Sequence, residues 1–483
     1  MDNEQQKKLG AFYTPFHTAN YMISRLNGFN KTSNLLEPSG GDGVFVSEIL
    51  NKRLLTPSQI TVWDINPETQ KTIKLLGVNN VVIKDTLLET ELNDGLLFKK
   101  ETFSHIIGNP PYLNKQSTYI KEHKNKLKKT FSLIGANDTY AMFLYLCCKL
   151  LIENGQLCFI VSDTFLTLGI HKKLRKFLLE NYTIKEITLC QKDLFKNTGI
   201  LVNTCIICLQ NKKPDSNHHI IFNDCRNNKI GEYTGKKRQM RQTDMLTYPD
   251  YVFGFNGDVG LLKKIIRFKK LTEILDGGLG MHTTDNEKFL GIVDYNGKQY
   301  ANSGLPQIPV NKIKNGEWKF YHKRGGKNKY YMPAEHCIRW DKNSTTNYKI
   351  PKTVNIDENR QGIIISGISS ELSARLATKG ALWESNKAFC FFPKNPDKYP
   401  PEFFVGILNS KIYNDMAKLL NHTVSLQIRD IKKLPFFNFK GRDIKTISEI
   451  SKKIINRLKI NLDYNFSKEQ ERIDKIVNEY VLN

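Results

Sequence analysis

A chain of 483 residues that is 40% hydrophobic and 25% charged has the composition of an ordinary globular protein with two or three full cores. Its formal net charge of +24 points to a polyanionic partner, and residues 201–483 carry most of it, with 47 Lys+Arg against 29 Asp+Glu, compared with 25 against 19 in residues 1–200. The nine cysteines are scattered and several sit in apolar runs, so reduced buried thiols are expected; Cys205 and Cys208 lack a second pair at zinc spacing, and no metal is expected. No apolar leader opens the sequence, and the longest apolar stretch, 140–152, is short and broken by Lys149, so the expectation is a cytoplasmic protein without a membrane partner.

In chain order, Tyr13-Thr14-Pro15 reads as a turn into a helix over 18–26. A short buried strand, 34–37, ends in Glu37, and Pro38-Ser39-Gly40-Gly41-Asp42-Gly43 is its glycine-rich exit into a helix over 44–54. Glycines are needed where backbone passes close to a bound cofactor, and the absence of a following Gly-Lys-Ser/Thr argues against a nucleotide-phosphate loop. The second strand, 59–66, carries Asp64 and Ile65, and a carboxylate at that tip suits ribose hydroxyls; the plainer role for Asp64 is an N-cap ahead of Pro67. The third strand, 81–88, carries Asp85 and Thr86.

The fourth strand, 103–107, stops at Gly108-Asn109-Pro110-Pro111-Tyr112. Two prolines cannot continue a ladder, so an Asn amide, a proline carbonyl and a Tyr ring are held at the carboxyl edge of a sheet, where open α/β folds place ligands. That set suits a flat, amino-bearing ring: two acceptors for the amino hydrogens and an aromatic face to stack on. A strand-ending turn with a packed Tyr is the plainer alternative. A lysine-rich stretch, 113–129, follows, then a helix over 139–153 ended by Gly155, strand 156–161, helix 172–180 and strands 184–189 and 202–209. This makes an alternating α/β pattern of seven strands with a terminal hairpin. From 211 the pattern becomes irregular, with a linker at 212–217 and basic-aromatic clusters.

Read together, Tyr-Thr-Pro, Leu-Glu-Pro-Ser-Gly-Gly-Asp-Gly-Val-Phe and Asn-Pro-Pro-Tyr resemble the ordered motifs of the gamma-class, TaqI-like, S-adenosylmethionine-dependent adenine-N6 DNA methyltransferases. The resemblance implies a Rossmann-like seven-stranded catalytic domain over 1–212, a basic α+β target-recognition domain over 213–443, and helices over 444–483 packing on it. It implies S-adenosylmethionine held by Tyr13, Thr14, Pro15, Glu37, Pro38, Ser39, Gly41, Gly43, Asp64, Ile65, Asp85, Thr86 and Asn109. Glu37 would meet the positively charged methionine end, and Asp85 would accept from the adenine amino group. Thr86 is smaller than the aromatic often found beside that ring. Catalysis falls to Asn109, Pro110, Pro111 and Tyr112, with Phe195 on the other face of a flipped adenine. Phosphate contacts are expected from Lys115, Lys121, Lys236, Lys237, Arg238, Arg241, Lys323 and Arg324 on double-stranded DNA. Solvated basic faces are the plainer reading of each. The strings 404–411 and 427–435 resemble the closing part of gamma-type recognition domains. The expected protein is a monomeric orphan or restriction-modification methylase, with a separate cognate restriction endonuclease as its partner in the second case; no Pro-Asp…Glu-x-Lys nuclease string is read. Alternatives are an RNA or protein-glutamine amino-methyltransferase, since both also use Asn-Pro-Pro-Tyr, and a DNA-binding specificity protein with an inactive methyltransferase fold.

Overall fold

A computed structural model of the chain describes residues 12–89, 103–192, 194–195, 202–254, 259–314, 316–351, 360–367, 371–385, 387–420 and 426–482. The chain divides into two compact units, Met1–Phe255 and Asn256–Asn483.

The first unit is built on one nine-stranded mixed sheet: β1 (Leu35–Glu37), β2 (Ile60–Asp64), β3 (Val81–Ile83), β4 (Phe103–Gly108), β5 (Leu151–Ser162), β6 (Thr183–Leu189), β7 (Thr204–Gln210), β8 (His219–Asp224) and β9 (Lys236–Arg241). The spatial order is β3-β2-β1-β4-β5-β7-β6-β8-β9. Strands β1 to β5 pair in parallel, and β7 runs antiparallel to both neighbours. The chain builds outward from β1 through β2 to β3 and then returns to place β4 on the other side of β1. This order reversal opens a crevice at the carboxyl ends of β1 and β4, the usual ligand position in such sheets. The strands there read as unbroken apolar runs because helices cover the sheet: β1 is wholly buried, and so is β5 from Gly155 onward. Around the crevice lie α1 (Phe16–Ile23), α2 (Val44–Asn51), α3 (Pro67–Leu75), α4 (Thr118–Glu122), α5 (Lys124–Thr130) and α6 (Thr139–Leu150), with α7 (Lys172–Asn181) further along the chain.

Two expectations are corrected in this unit. Helix α6 ends at Leu150, and β5 begins at Leu151 rather than at Gln156. Asn154 takes a positive φ of 62°, and the register against β4 jumps from Phe103↔Leu151 to His105↔Gln156, so Asn154-Gly155 is a bulge inside the strand and not a helix stop. The sheet also runs past seven strands. The stretch 212–217 is a short connection into β8, which pairs in parallel with β6, and β9 closes the edge antiparallel to β8. The first unit accordingly reaches Phe255, beyond the boundary expected at 212.

The second unit holds a four-stranded antiparallel sheet, in spatial order Leu275–Gly278, Ala388–Pro393, Ile363–Ser366 and Ala374–Leu376. It also holds a five-stranded mixed sheet of Gln307–Pro309, Leu290–Asp294, His336–Arg339, Trp318–His322 and Leu382–Trp383. The 404–411 string has a packing role: at Gly406 a Cβ would lie 2.6 Å from Ile447 and Ser451, so the glycine lets helix Pro401–Leu408 approach helix Gly441–Ile460 closely. Asn409 then pairs with the Ala374 backbone through both its amide oxygen (2.9 Å) and its amide nitrogen (2.7 Å). Helix Ser467–Leu482 packs on Gly441–Ile460, within the same unit. Among the described residues no helix is long and apolar enough to cross a membrane.

Candidate active site

The exit of β1 is shaped by glycines that no other residue could replace without displacement. A Cβ on Gly40 would lie 2.3 Å from Val62, and Gly43, at φ +77°, would place one 2.5 Å from Ile73. The loop therefore packs flat on β2 and α3, and Gly43 turns the chain into α2. Asp64, at the end of β2, receives the Gly41 amide at 2.8 Å and the Asn66 amide at 2.7 Å. The α3 N-cap is Asn66, whose side chain accepts from Glu68, so Asp64 is not the capping residue. Burial pushes the Asp64 carboxyl upward, opposed by those amide hydrogen bonds.

Beside it, Glu37 is only 2% exposed and its Oε2 has no hydrogen-bond partner among the described residues. Burial first, then the charges of Asp42 and Asp64, raise its carboxyl well above the usual range. An unpaired buried acid facing two others is costly on its own and becomes favourable when a cation arrives.

A cleft of about 850 Å³, counting its open mouth, runs over these strand ends. Its wall brings together Tyr13, Pro38, Ser39, Gly41, Asp64 and Ile65 from the first two strand exits and the N-terminal segment. Asp85 and Thr86 line it after β3, and Asn109 and Pro111 after β4. The ring of Tyr13 and the side chain of Ile65 are partly exposed there, 38% and 47%, and offer an apolar surface to a ligand. Thr86 is buried, and its hydroxyl donates to the Pro38 carbonyl at 3.0 Å, so it ties two strand exits together. Thr14, Pro15, Glu37 and Gly43 lie outside the lining: Glu37 is the buried last residue of β1, Pro15 caps α1, and Gly43 caps α2.

At the β4 exit the Asn109 amide nitrogen donates to the Phe12 carbonyl at 2.7 Å, while its Oδ1 is buried with no partner among the described residues. Its backbone carbonyl accepts from Ser39 at 3.2 Å. With the amide nitrogen committed, the free end of Asn109 is an acceptor. Thr139, the first residue of α6, braces the double-proline loop: its hydroxyl donates to the Pro111 carbonyl, its oxygen accepts from the Leu113 amide at 2.9 Å, and its own amide donates to the Leu113 carbonyl at 2.9 Å. The Tyr112 hydroxyl donates to the Ile160 carbonyl on β5 at 3.1 Å, which fixes its ring, and burial keeps that phenol protonated. Pro110 is buried.

The ring opposite Tyr112 is Phe12, at 6.0 Å between centroids and 19° between planes. Phe195 is buried and meets Phe12 at 6.4 Å and 59°. Sequence reasoning missed Phe12, Thr139, Lys84 and Tyr119. Lys84 lines the cleft with its ammonium 3.9 Å above the Trp63 ring, and Tyr119 lines it from α4. Phe12 stood one position before the recognised Tyr-Thr-Pro, but nothing in the sequence pairs Tyr119 with Asp85.

The basic residues expected at phosphates in the first unit do not line this cleft. Lys115 and Lys121 are exposed, and the latter sits on α4. Lys236, Lys237, Arg238 and Arg241 belong to the sheet-edge strand β9, where exposed cations also discourage edge-to-edge pairing. Lys323 and Arg324 follow strand Trp318–His322 of the second unit.

Residues 45–195, which include Asp64, Asp85 and Asn109 to Tyr112, match the family described as Eco57I restriction-modification methylase. Type II methyltransferase M.HincII of Haemophilus influenzae is 27% identical over 192 residues, 39% of this chain and 35% of that protein. Modification methylase CviBIII of Paramecium bursaria Chlorella virus NC1A is 27% identical over 214 residues, 44% of this chain and 52% of that protein. The chain thus spans between a third and about half the length of these curated relatives. Among solved structures, the type IIL restriction-modification enzyme MmeI in complex with DNA superposes with a TM-score of 0.63 at 13% identity, covering 99% of this chain and 77% of that one. The mixed α/β fold is shared with that enzyme, and over 45–195 the chain is similar to restriction-modification methylases.

Proposed function

We propose that this chain is a DNA methyltransferase of a restriction-modification or orphan type, which methylates the N6 amino group of an adenine in double-stranded DNA with S-adenosylmethionine as donor. One observation carries the reading: a buried Asn109 Oδ1 without a partner among the described residues, on a side chain whose amide nitrogen is held by Phe12, at the switch point of an open α/β sheet.

The residues fit the cofactor. Glu37 offers a buried, unpartnered carboxylate oxygen to a cation, Asp64 and Asp85 add acceptors, and Tyr13 and Ile65 add apolar surface. When bound, S-adenosylmethionine supplies an electrophilic methyl group on a sulfonium. The chain's own work is placement. An adenine amino group is out of reach inside a duplex, so the base is read flipped out. Asn109 Oδ1 and the Pro110 carbonyl accept the two amino hydrogens, which draws the nitrogen lone pair away from conjugation with the ring. Tyr112, its hydroxyl tied to Ile160, presents a fixed aromatic face for the base. The amino nitrogen gains one carbon bond and loses one proton to water; no covalent enzyme adduct is needed, and rate comes from alignment and electrostatics.

Double-stranded DNA is supported as the substrate by the excess of cations over 201–483 and by the similarity to proteins named as restriction-modification methyltransferases. The test is transfer of a radiolabelled methyl group from S-adenosylmethionine into duplex DNA, ribosomal RNA or a glutamine-bearing protein. Label in N6-methyladenine of duplex DNA is the expected result, and label confined to RNA or protein overturns the DNA reading.

A further inference from the structure

In α4 the Tyr119 hydroxyl stands 3.0 Å from each oxygen of Asp85, and both residues line the cleft. The two Asp85 oxygens are not equivalent. Oδ1 also accepts the backbone amides of Leu87 and Leu88, each at 3.0 Å, which nearly fills its capacity. Among the described residues Oδ2 has the Tyr119 hydroxyl as its one hydrogen-bond partner and keeps acceptor capacity. The two amides anchor one oxygen and leave the carboxylate free to swing about it, so the position of Oδ2 is set by Tyr119. Burial, and then the charge of Asp85, hold the Tyr119 phenol in its protonated, donating form. The ring is braced edge-on by His123 at 5.1 Å.

Resting on the cofactor reading above, we propose that Tyr119 is a positioning residue of the cofactor site: it holds Asp85 Oδ2 as an acceptor for the exocyclic amino group of the cofactor's purine and so sets the preference for a 6-amino over a 6-oxo purine. A carboxylate accepts and does not donate, so a fixed Oδ2 rewards an amino group and repels a carbonyl. The Tyr119 ring, arriving from a different element, also supplies the aromatic wall that Thr86 does not, since the Thr86 hydroxyl is spent on Pro38.

The experiment titrates the full chain with S-adenosylhomocysteine and with S-inosylhomocysteine, for the wild type, Tyr119→Phe and Tyr119→Ala, with a thermal unfolding scan of each. The wild type should prefer the adenosyl compound. Tyr119→Phe should weaken that compound about tenfold, narrow its advantage over the inosyl compound, and leave the unfolding midpoint within a few degrees. Tyr119→Ala should lose more, because the wall goes with the hydroxyl. If Tyr119→Phe keeps the wild-type preference, whether affinities are unchanged or fall equally for both compounds, the positioning role is overturned while the cofactor reading stands. If the wild type binds no S-adenosylhomocysteine, the cofactor reading itself falls, and this inference with it.

Discussion

The two units differ in what they leave unsatisfied. At the ends of β1 and β4 in the first, the buried side-chain atoms without partners among the described residues are acceptors, Glu37 Oε2 and Asn109 Oδ1. In the second they include donors under a cationic loop: Arg375 Nε, and His322 Nδ1, which carries the ring proton because His322 Nε2 accepts from the Thr378 amide. The Arg375 guanidinium, almost wholly buried, donates to the carbonyls of Arg324 and Gly325, and a Cβ at Gly325 would lie 2.1 Å from Ser366. The first arrangement suits an amino group and a cationic ligand, and the second holds a loop that carries Lys323, Arg324 and Lys327. Chemistry that needs atoms in one place requires buried, aimed acceptors, whereas affinity for a polyanion needs only well-supported charge.

The largest effect that sharpens this contrast belongs to Asn109. Asn109→Ala removes the acceptor and should lower kcat on the order of 10²–10³-fold, with affinity for S-adenosylhomocysteine changed only a few-fold by titration. Near-normal turnover would break the assignment of that acceptor. Next is Glu37→Gln, which should weaken S-adenosylhomocysteine about 10- to 100-fold. Burial and two neighbouring acids raise the Glu37 carboxyl in the ligand-free protein, so its folded value lies above the unfolded one. That contribution to stability is present at low pH and is lost as pH rises through the raised value. A bound ammonium favours the ionised form, so binding releases a proton, and affinity should climb with pH until Glu37 is ionised without help. Isothermal titration in buffers of different ionisation heat reads the proton, and Glu37→Gln should remove that release and flatten the profile.

Smaller effects follow. Tyr112→Ala should cost about 10- to 100-fold in kcat/KM through the lost stacking face, and Tyr112→Phe much less, because the hydroxyl serves only the Ile160 tether. Equal losses would place the function in the tether. In the second unit, Lys323→Ala and Arg324→Ala should each lower DNA affinity at all sequences alike and reduce the salt slope by about one. No change in slope would remove that loop from the phosphate contacts.

The first unit's strand exits were legible because few residues can do what those positions require. Gly40 and Gly43 are demanded by Val62 and Ile73, and the two prolines after Asn109 end a ladder wherever they occur. The acids at strand tips followed from the same reasoning. What escaped depends on contacts between distant elements. Tyr119 reaches Asp85 across 34 positions, and Phe12 reaches Asn109 across 97, with no pattern in either segment to announce it. The bulge at Asn154-Gly155 looked like a helix stop because Gly serves both purposes. Strands β8 and β9 were missed because one is a six-residue run between turn residues and the other, Lys-Lys-Arg-Gln-Met-Arg, has an edge strand's charges rather than an alternating apolar face. Base-reading residues could not be picked out in the second unit for a further reason: direct readout of a duplex rests on a few loop side chains with no spacing of their own.

The most direct test is single-molecule sequencing of genomic DNA from a methylation-free host expressing this chain, beside the same host expressing Asn109→Ala. The account predicts N6-methyladenine at one short sequence motif with the wild type and none with the variant. Unmarked DNA from a host that contains folded wild-type protein, or a mark that survives Asn109→Ala, would contradict it.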